Sequence, residues 1–509
     1  MGNEGGGTER PGRGDEPAGD GVWLLVYFVH RYLDFRRPEF ESAARACGWP
    51  GAVEWRLPPW VDADAPGADK SPLWLVRAPS EELAARVVRR AILAKALLCP
   101  WGHGVDLASC CDAVRAALAD DTTKQTLRVA HYTSAQRAFK VQVEAFGAKL
   151  SMEQQLVRVN AFSFVPFEGP VSMRAPDDIF WCVEVGGEGA NASDERVKVP
   201  PGVVFARQVA VGPRQELLGK LDLKRRPYLG PTSMDHEMAL IMANMGCCRP
   251  GTLTLDPFVG TGSVLVAAAA LGAVCMGGDM DIRVVRDGKK GKNVFTNFEH
   301  YGMDAPCLLR ADASAMPWRA GLRGVFDSIV CDPPYGIRAG GRKSGGRRYN
   351  ERPYEIPKEK RKDHIASTSP YSLGECIADL LDNAAAMLRP GGRLVYFLPA
   401  VIEAYSDDLL PRHPSLDVVA NTEQNLTMSY QRRLVTMERK GEGAEGGAGA
   451  ADAARAARAR TIAAMQVLED AAEAMLEGKL PSQTARRASA GAARDESKRP
   501  HDVCAAATQ

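Results

Sequence analysis

The sequence predicts an α/β protein, with a doubly wound parallel sheet over residues 203–440 and an α+β region over 21–200 before it. Three observations carry that prediction. Beyond residue 203, short β-branched runs ending in polar residues alternate with helical segments at roughly 20–35-residue spacing, the rhythm of βαβ units. A glycine-containing turn, Asp256 to Gly262, joins one such run to a helix. The first half lacks this rhythm and mixes strand and helix signals irregularly.

Composition bounds the rest. The chain's 509 residues allow two to four domains. With 45% apolar and 25% charged residues it reads as soluble and globular. Sixty-four Lys and Arg face 63 acidic residues, so any basic surface must be local. Residues 1–20, rich in Gly and charge, read as a disordered leader. Residues 441–509 hold 22 Ala in 69 residues and no aromatic residue, so they read as a mostly disordered tail with one helix near 459–477. The apolar run Val22–Val29 is too short to span a membrane, which takes ~20 residues, and it lacks a basic leader. Twelve cysteines are scattered, with no Cys-x-x-Cys pair and no histidine at zinc-finger spacing. That predicts a reducing compartment, the cytoplasm, with neither disulfides nor a metal site.

In the first half, Val22–Val29 and Leu73–Val76 read as strands, and 39–47 as a helix stopped by Gly48 and Pro50. Ser80 caps a second helix expected to run towards Leu98. The stretch 162–171 reads as a strand and turn. In the second half the expected strands are 252–255, 273–278, 306–310, 325–331 and 393–398. The helices are 263–271, 283–301 and 373–388, and 416–420 and 433–438 are expected to close the sheet with an antiparallel edge.

The chemistry concentrates at strand ends. Asp256-Pro-Phe-Val-Gly260-Thr261-Gly262 lets the backbone turn tightly and approach a ligand. It is neither the full dinucleotide fingerprint nor a phosphate-binding P-loop. One βαβ hop later the next run ends in Asp279, where a carboxylate can accept from both ribose hydroxyls. Asp281 is the competitor, better suited to capping the following helix. Asp312, after the third run, suits an adenine amino group or a turn. The fourth run enters Asp332-Pro333-Pro334-Tyr335 directly. The prolines stiffen the loop and free its carbonyls to accept. Asp332, the Pro333 carbonyl and the flat ring of Tyr335 together make a receptor for an exocyclic amine on a planar base. Two acceptors drawing the amine hydrogens out of plane localise a lone pair otherwise spread into the ring.

Asp-Pro-Pro-Tyr after such a turn resembles the S-adenosylmethionine-dependent amino-methyltransferases of nucleic-acid bases. The wider set resembles the tRNA guanine-10 N2-methyltransferase catalytic subunits. It comprises Asp256 to Gly262, Gly278 to Asp281, Asp312-Ala-Ser, Tyr228 to Asp235, and Asp332 to Arg338. Upstream, Phe35 to Phe40, Lys70 to Leu75 and Trp101 to Gly104 resemble that family's THUMP-containing, RNA-binding half. The resemblance implies a Rossmann-like class I methyltransferase domain, S-adenosylmethionine as cofactor and tRNA as partner. It also implies a small zinc-binding activator subunit, and no DNA or membrane. Asp256, Gly260, Thr261 and Gly262 would hold the methionine moiety, Asp279 the ribose and Asp312 the adenine end. Thr232 and Ser233 would close the cofactor pocket, and Asp332, Pro333, Pro334 and Tyr335 would be catalytic.

Residues 337–363 carry ten Lys and Arg against four acids, with Tyr349 and Tyr354 interleaved, as a phosphate-contacting loop would. An rRNA or DNA amino-methyltransferase shares the catalytic loop, although a DNA enzyme leaves the N-terminal half unexplained. A non-catalytic tRNA-binding subunit would not need the intact acids and glycines. A dehydrogenase fits least, lacking the third glycine.

Overall fold

The computed structural model describes residues 21–146, 148–186, 199–231, 233–281, 283, 288–319, 321–334, 341–345, 357, 368–441 and 449–476. The chain forms two compact units. The first comprises the residues up to His30, Cys47–Arg90 and Ala94–Pro213. The second comprises Arg31–Ala46, Ala91–Leu93 and the chain from Arg214 onward.

The first unit is built on seven strands: β1 (Val22–Phe28), β2 (Glu54–Arg56), β3 (Leu73–Ala78), β4 (Ala94–Gly104), β5 (Phe139–Phe146), β6 (Asp178–Val185) and β7 (Gly202–Val211). Their order is β2-β3-β1-β4-β7-β6-β5, antiparallel except where β5 meets β6. Alternation along β6 and β7 feeds two cores. Phe180, Cys182 and Phe205 join Trp101, Val114 and Phe162 on one face, whereas Trp181, Val183 and Val204 join Leu25 and Tyr27 on the other. Two expectations fail here. The Ser80-capped helix stops at Val88, and the apolar run that seemed to extend it is the central strand β4, paired on both edges by β1 and β7. Residues 162–171 form no strand. They are an aromatic plug, with Phe162 stacked on Phe205 and Phe167 on Phe139, both at 4.1 Å.

In the second unit the βαβ rhythm produces β8 (Leu253–Asp256), β9 (Val274–Asp279), β10 (Cys307–Arg310) and β11 (Phe326–Cys331). A small antiparallel pair, β12 (Arg342–Ser344) and β13 (Thr368–Pro370), follows. Then come β14 (Leu388–Val401), β15 (Leu416–Asn425) and β16 (Tyr430–Arg439). The large sheet runs β10-β9-β8-β11-β14-β16-β15, parallel as far as β14, with β16 antiparallel to both neighbours. This is the Rossmann-like class I order, and the antiparallel edge stands where the sequence put it. Of the expected long helix 283–301, residues 284–287 lie outside the described residues and the described helix is Val294–His300. Gly288 and Gly291 take positive φ ahead of it, and Asn293 caps it by accepting from Thr296 N–H.

Helices from distant parts of the chain pack in this unit. Helix Arg36–Ala46 packs here through buried Glu39, which accepts from Ile92 N–H (2.7 Å), Leu93 N–H (2.9 Å) and Asn244 Nδ2 (2.7 Å). Arg393 Nη1 donates to Ser42 Oγ on the same helix at 2.8 Å. The tail differs from expectation: its helix spans Ala450–Leu476 and docks on helix Leu373–Met387. Arg458 reaches Asp379 and Asp382 at 2.6 Å each, and Glu469 accepts from Leu373 N–H. Ala457, Thr461, Met465, Leu468 and Ala472 form its buried stripe at helical spacing. Residues 477–509, like the leader 1–20, lie outside the described residues.

Because Met465 is fully buried, Met465→Ala should lower unfolding free energy by about 2–5 kcal/mol in a denaturant titration. A change within ~0.5 kcal/mol would mean that the helix is not part of the core.

Candidate active site

Parallel strands deliver their C-terminal ends to one edge, and the sheet order reverses between β8 and β11. Ligands of open α/β sheets bind at such a switch point. Four carboxylates gather along this edge: Asp256 ends β8, Asp279 ends β9, Asp332 follows β11, and Asp312 lies two residues past β10.

Asp256 is 2% exposed, and its Oδ1 accepts from Phe258 N–H at 2.9 Å. Burial pushes its carboxyl up to about 8, against the Phe258 hydrogen bond and helped by the negative charge of Asp279 and Asp332. It is therefore mostly protonated at neutral pH and shapes the turn. That turn closes through Val259 N–H to Gly278 O (2.9 Å) and Gly262 N–H to Val259 O (2.7 Å). Gly260 and Gly262 take φ of +49° and +79°, and a Cβ at 262 would stand 2.7 Å from Val294. At Gly260 a Cβ would meet nothing nearer than 3.8 Å, so the backbone there faces open space.

Asp279 is held by the turn it faces. Its Oδ2 accepts from Gly260 N–H (3.0 Å) and its Oδ1 from Asp281 N–H (2.8 Å), leaving each oxygen a further lone pair. Burial raises its carboxyl above the usual range. Asp281 is engaged elsewhere, bonded to Arg283 N–H and to the Arg283 guanidinium, which lowers its carboxyl. Asp312 has both oxygens engaged. Ser314 donates to its Oδ1 from N–H (2.9 Å) and Oγ (2.7 Å), and Ser344 N–H on β12 donates to its Oδ2. Burial opposes ionisation of Asp312, but these bonds outweigh it and hold the carboxyl below the usual range.

The segment 226–235 folds onto the turn. Ser233 Oγ accepts from Gly230 N–H (2.9 Å) and bonds Thr261 Oγ1 (2.8 Å). Thr232 lies outside the described residues. Sequence reasoning missed Asn297, the clamp between segment and turn. Fully buried, it donates to Tyr228 O (2.9 Å) and Thr261 O (3.2 Å) and accepts from Tyr228 N–H (2.9 Å). It missed Arg226 too, which donates to Ser263 Oγ at 2.8 Å. No local signal marks either residue.

Asp332 stands apart. Among the described residues Oδ1 is buried without a hydrogen-bond partner, while Oδ2 lies 3.8 Å from Arg432 Nη1. The side chain as a whole keeps 26% of its surface, so what is open lies away from Oδ1. Burial raises its carboxyl to about 6, opposed by the charge of Arg432. Pro333 is buried and Pro334 half-buried; Tyr335 lies outside the described residues.

An acid at each of four strand ends around a glycine turn is the arrangement of a methyltransferase, and the similarities agree. Residues 23–214 match the Tmrp11 THUMP N-terminal domain, and residues 224–363 match the RMKL-like methyltransferase domain. The chain is 34% identical over 431 residues to tRNA (guanine(10)-N(2))-methyltransferase TRMT11 of Gallus gallus, spanning 82% of this chain and 88% of that protein. Identity to the Homo sapiens protein of the same name is 33% over 434 residues, with the same coverage. The Dictyostelium discoideum protein is 35% identical over 427 residues, 82% of either chain. The chain belongs to the tRNA (guanine(10)-N(2))-methyltransferase family.

Removing the clamp should loosen the site from behind. Asn297→Ala strands the buried Tyr228 amide and should cost about 2–4 kcal/mol of unfolding free energy. Stability within ~0.5 kcal/mol of the parent would show that the segment is held by other means.

Proposed function

We propose that this protein transfers a methyl group from S-adenosylmethionine to the exocyclic N2 of guanosine 10 in tRNA. The observation that carries the reading is the carboxylate of Asp332 at the end of β11, 26% exposed and, among the described residues, without a hydrogen-bond donor on either oxygen. An acceptor without a donor is costly unless a ligand supplies one, and an exocyclic amine is such a donor.

The residues present fit the cofactor. Open backbone at Gly260 admits the methionine end, and the spare lone pairs of Asp279 suit two ribose hydroxyls. Protonated Asp256 adds no charge behind the turn. Asp312, with its oxygens already bonded to Ser314 and Ser344, would border the adenine end and position β12 there. Thr232 and Ser233 would close the pocket, Ser233 through its bond to Thr261. Bound there, S-adenosylmethionine supplies a methyl group already activated by its sulfonium. The protein's work is then orientation. The Asp332 carboxylate and the Pro333 carbonyl would accept the two amine hydrogens, Pro334 would stiffen the loop, and Tyr335 would stack on the guanine.

The THUMP half would take up tRNA, and guanosine 10 is the base that the relatives' names specify. The basic segment 337–363, mostly outside the described residues, would add phosphate contacts. The reading includes the small zinc-binding activator that the resemblance implies, its zinc belonging to that partner. Among the described residues no cluster of three or more His, Cys, Asp or Glu could hold a metal. Nor, among them, is any helix long and apolar enough to cross a membrane. The cytoplasm is the compartment proposed, from the scattered thiols.

Two substitutions test the division of labour in single-turnover methyl transfer, with N2-methylguanosine read by nucleoside mass spectrometry. Asp332→Ala should slow transfer by about 100-fold or more with cofactor and tRNA still bound. Asp279→Ala should weaken cofactor binding by roughly 10–100-fold with tRNA binding intact. Wild-type turnover by Asp332→Ala, or product formed on tRNA without guanosine 10, would overturn the assignment.

A further inference from the structure

We propose that Arg432, on a strand no motif covers, is a positioning residue for methyl transfer: it holds Asp332 ionised by charge from 3.8 Å without hydrogen-bonding to the carboxylate, which stays available to the amine. The inference rests on the role proposed for Asp332.

The geometry is specific to that task. Arg432 lies on β16, directly opposite Gln424 on β15 and Pro399 on β14. Its Nε donates to Gln424 Oε1 at 2.5 Å, and its guanidinium lies 3.8 Å from the ring centre of Phe397 on β14. Held on an edge and a face, the planar group has little freedom. Its free end reaches the tip of β11, where Nη1 stands 3.8 Å from Asp332 Oδ2. That separation is too long for a hydrogen bond, so Arg432 acts through charge and does not occupy the carboxylate. A close bidentate pair would have consumed both oxygens.

The charge matters because the Asp332 carboxyl is largely desolvated, with Oδ1 buried. Burial drives its carboxyl up and Arg432 opposes the rise, leaving it at about 6, ionised at neutral pH. Without the guanidinium the carboxyl would protonate nearer neutrality. A protonated acid accepts more weakly and no longer draws charge towards the amine. In the transfer, the N2 lone pair forms the new N–C bond and the C–S pair stays on sulfur, giving S-adenosylhomocysteine. One N2 proton leaves to the Asp332 carboxylate, so an ionised carboxylate serves before and after the bond forms. Other groups nearby do not replace Arg432. Asp256 and Cys331 face Asp332, and Cys331 is held protonated far above neutrality. Asp256 adds only negative charge once it ionises. Tyr32, Tyr430 and Asp235 face Arg432 itself and would not supply a cation.

The test is the acid limb of the single-turnover rate between about pH 5 and 8, at saturating tRNA and cofactor, for wild type, Arg432→Gln and Arg432→Lys. Wild type should fall tenfold per pH unit below about 6. Arg432→Gln should move that midpoint up by about one pH unit or more and recover most of its rate by about pH 8. Arg432→Lys, keeping the charge, should stay within about 0.5 of the wild-type midpoint. An unmoved midpoint in Arg432→Gln, with the rate lowered equally at every pH, would make the residue merely structural and overturn the inference. So would equal displacement by Lys and Gln. Asp332→Ala run beside them separates the two readings: if it matches wild type, the amine receptor is wrong. If it is inactive while Arg432→Gln keeps the wild-type profile, only the role of Arg432 fails.

Discussion

Carboxylates crowded along a buried sheet edge cannot all stay charged without compensation, and the ends of β8, β9, β10 and β11 bring four of them together. Much of the second unit answers that constraint, each acid differently. Asp256, the most buried, takes a proton. Asp279 is fastened by two backbone N–H groups, one from the glycine turn that it faces. Asp312 is saturated by Ser314 and by Ser344 of β12. Asp332 has a buried oxygen without a donor among the described residues, and its compensation is a guanidinium at a distance. Charge neutralised by hydrogen bonds builds the site, whereas charge neutralised at arm's length leaves an acceptor available for chemistry.

The arrangement depends on elements beyond the span matched to the methyltransferase domain, residues 224–363. Strand β16, which carries Arg432, comes later, and so does helix Ala450–Leu476, which stiffens helix Leu373–Met387. Helix Arg36–Ala46 comes far earlier, and its buried Glu39 answers Asn244 of helix His236–Met245. The second unit is thus assembled from chain segments hundreds of residues apart.

The succession of strands and the strand-end acids were legible in the sequence because each β-branched run stops abruptly at a polar residue, and because the hop from Asp256 to Asp279 has βαβ length. Long-range partners were not. Asn297 and Arg432 act on residues 36 and 100 positions away, and nothing beside them in sequence announces it. The apolar run 91–98 was ambiguous by nature, since periodicity cannot separate a buried helix from a buried strand; pairing with β1 and β7 decided it. Composition misled about the tail. Its alanines hid the stripe from Ala457 through Met465 and Leu468 to Ala472, which helical spacing makes visible.

The central claim is a distribution of protons: Asp332 ionised at neutral pH and Asp256 not. Carbon-13 NMR of protein labelled at the aspartate carboxyls reads it directly, with the two signals assigned through Asp332→Asn and Asp256→Asn. The account predicts titration near 6 for Asp332 and near 8 for Asp256. Both signals titrating together at the ordinary carboxylate value of about 4 would contradict it.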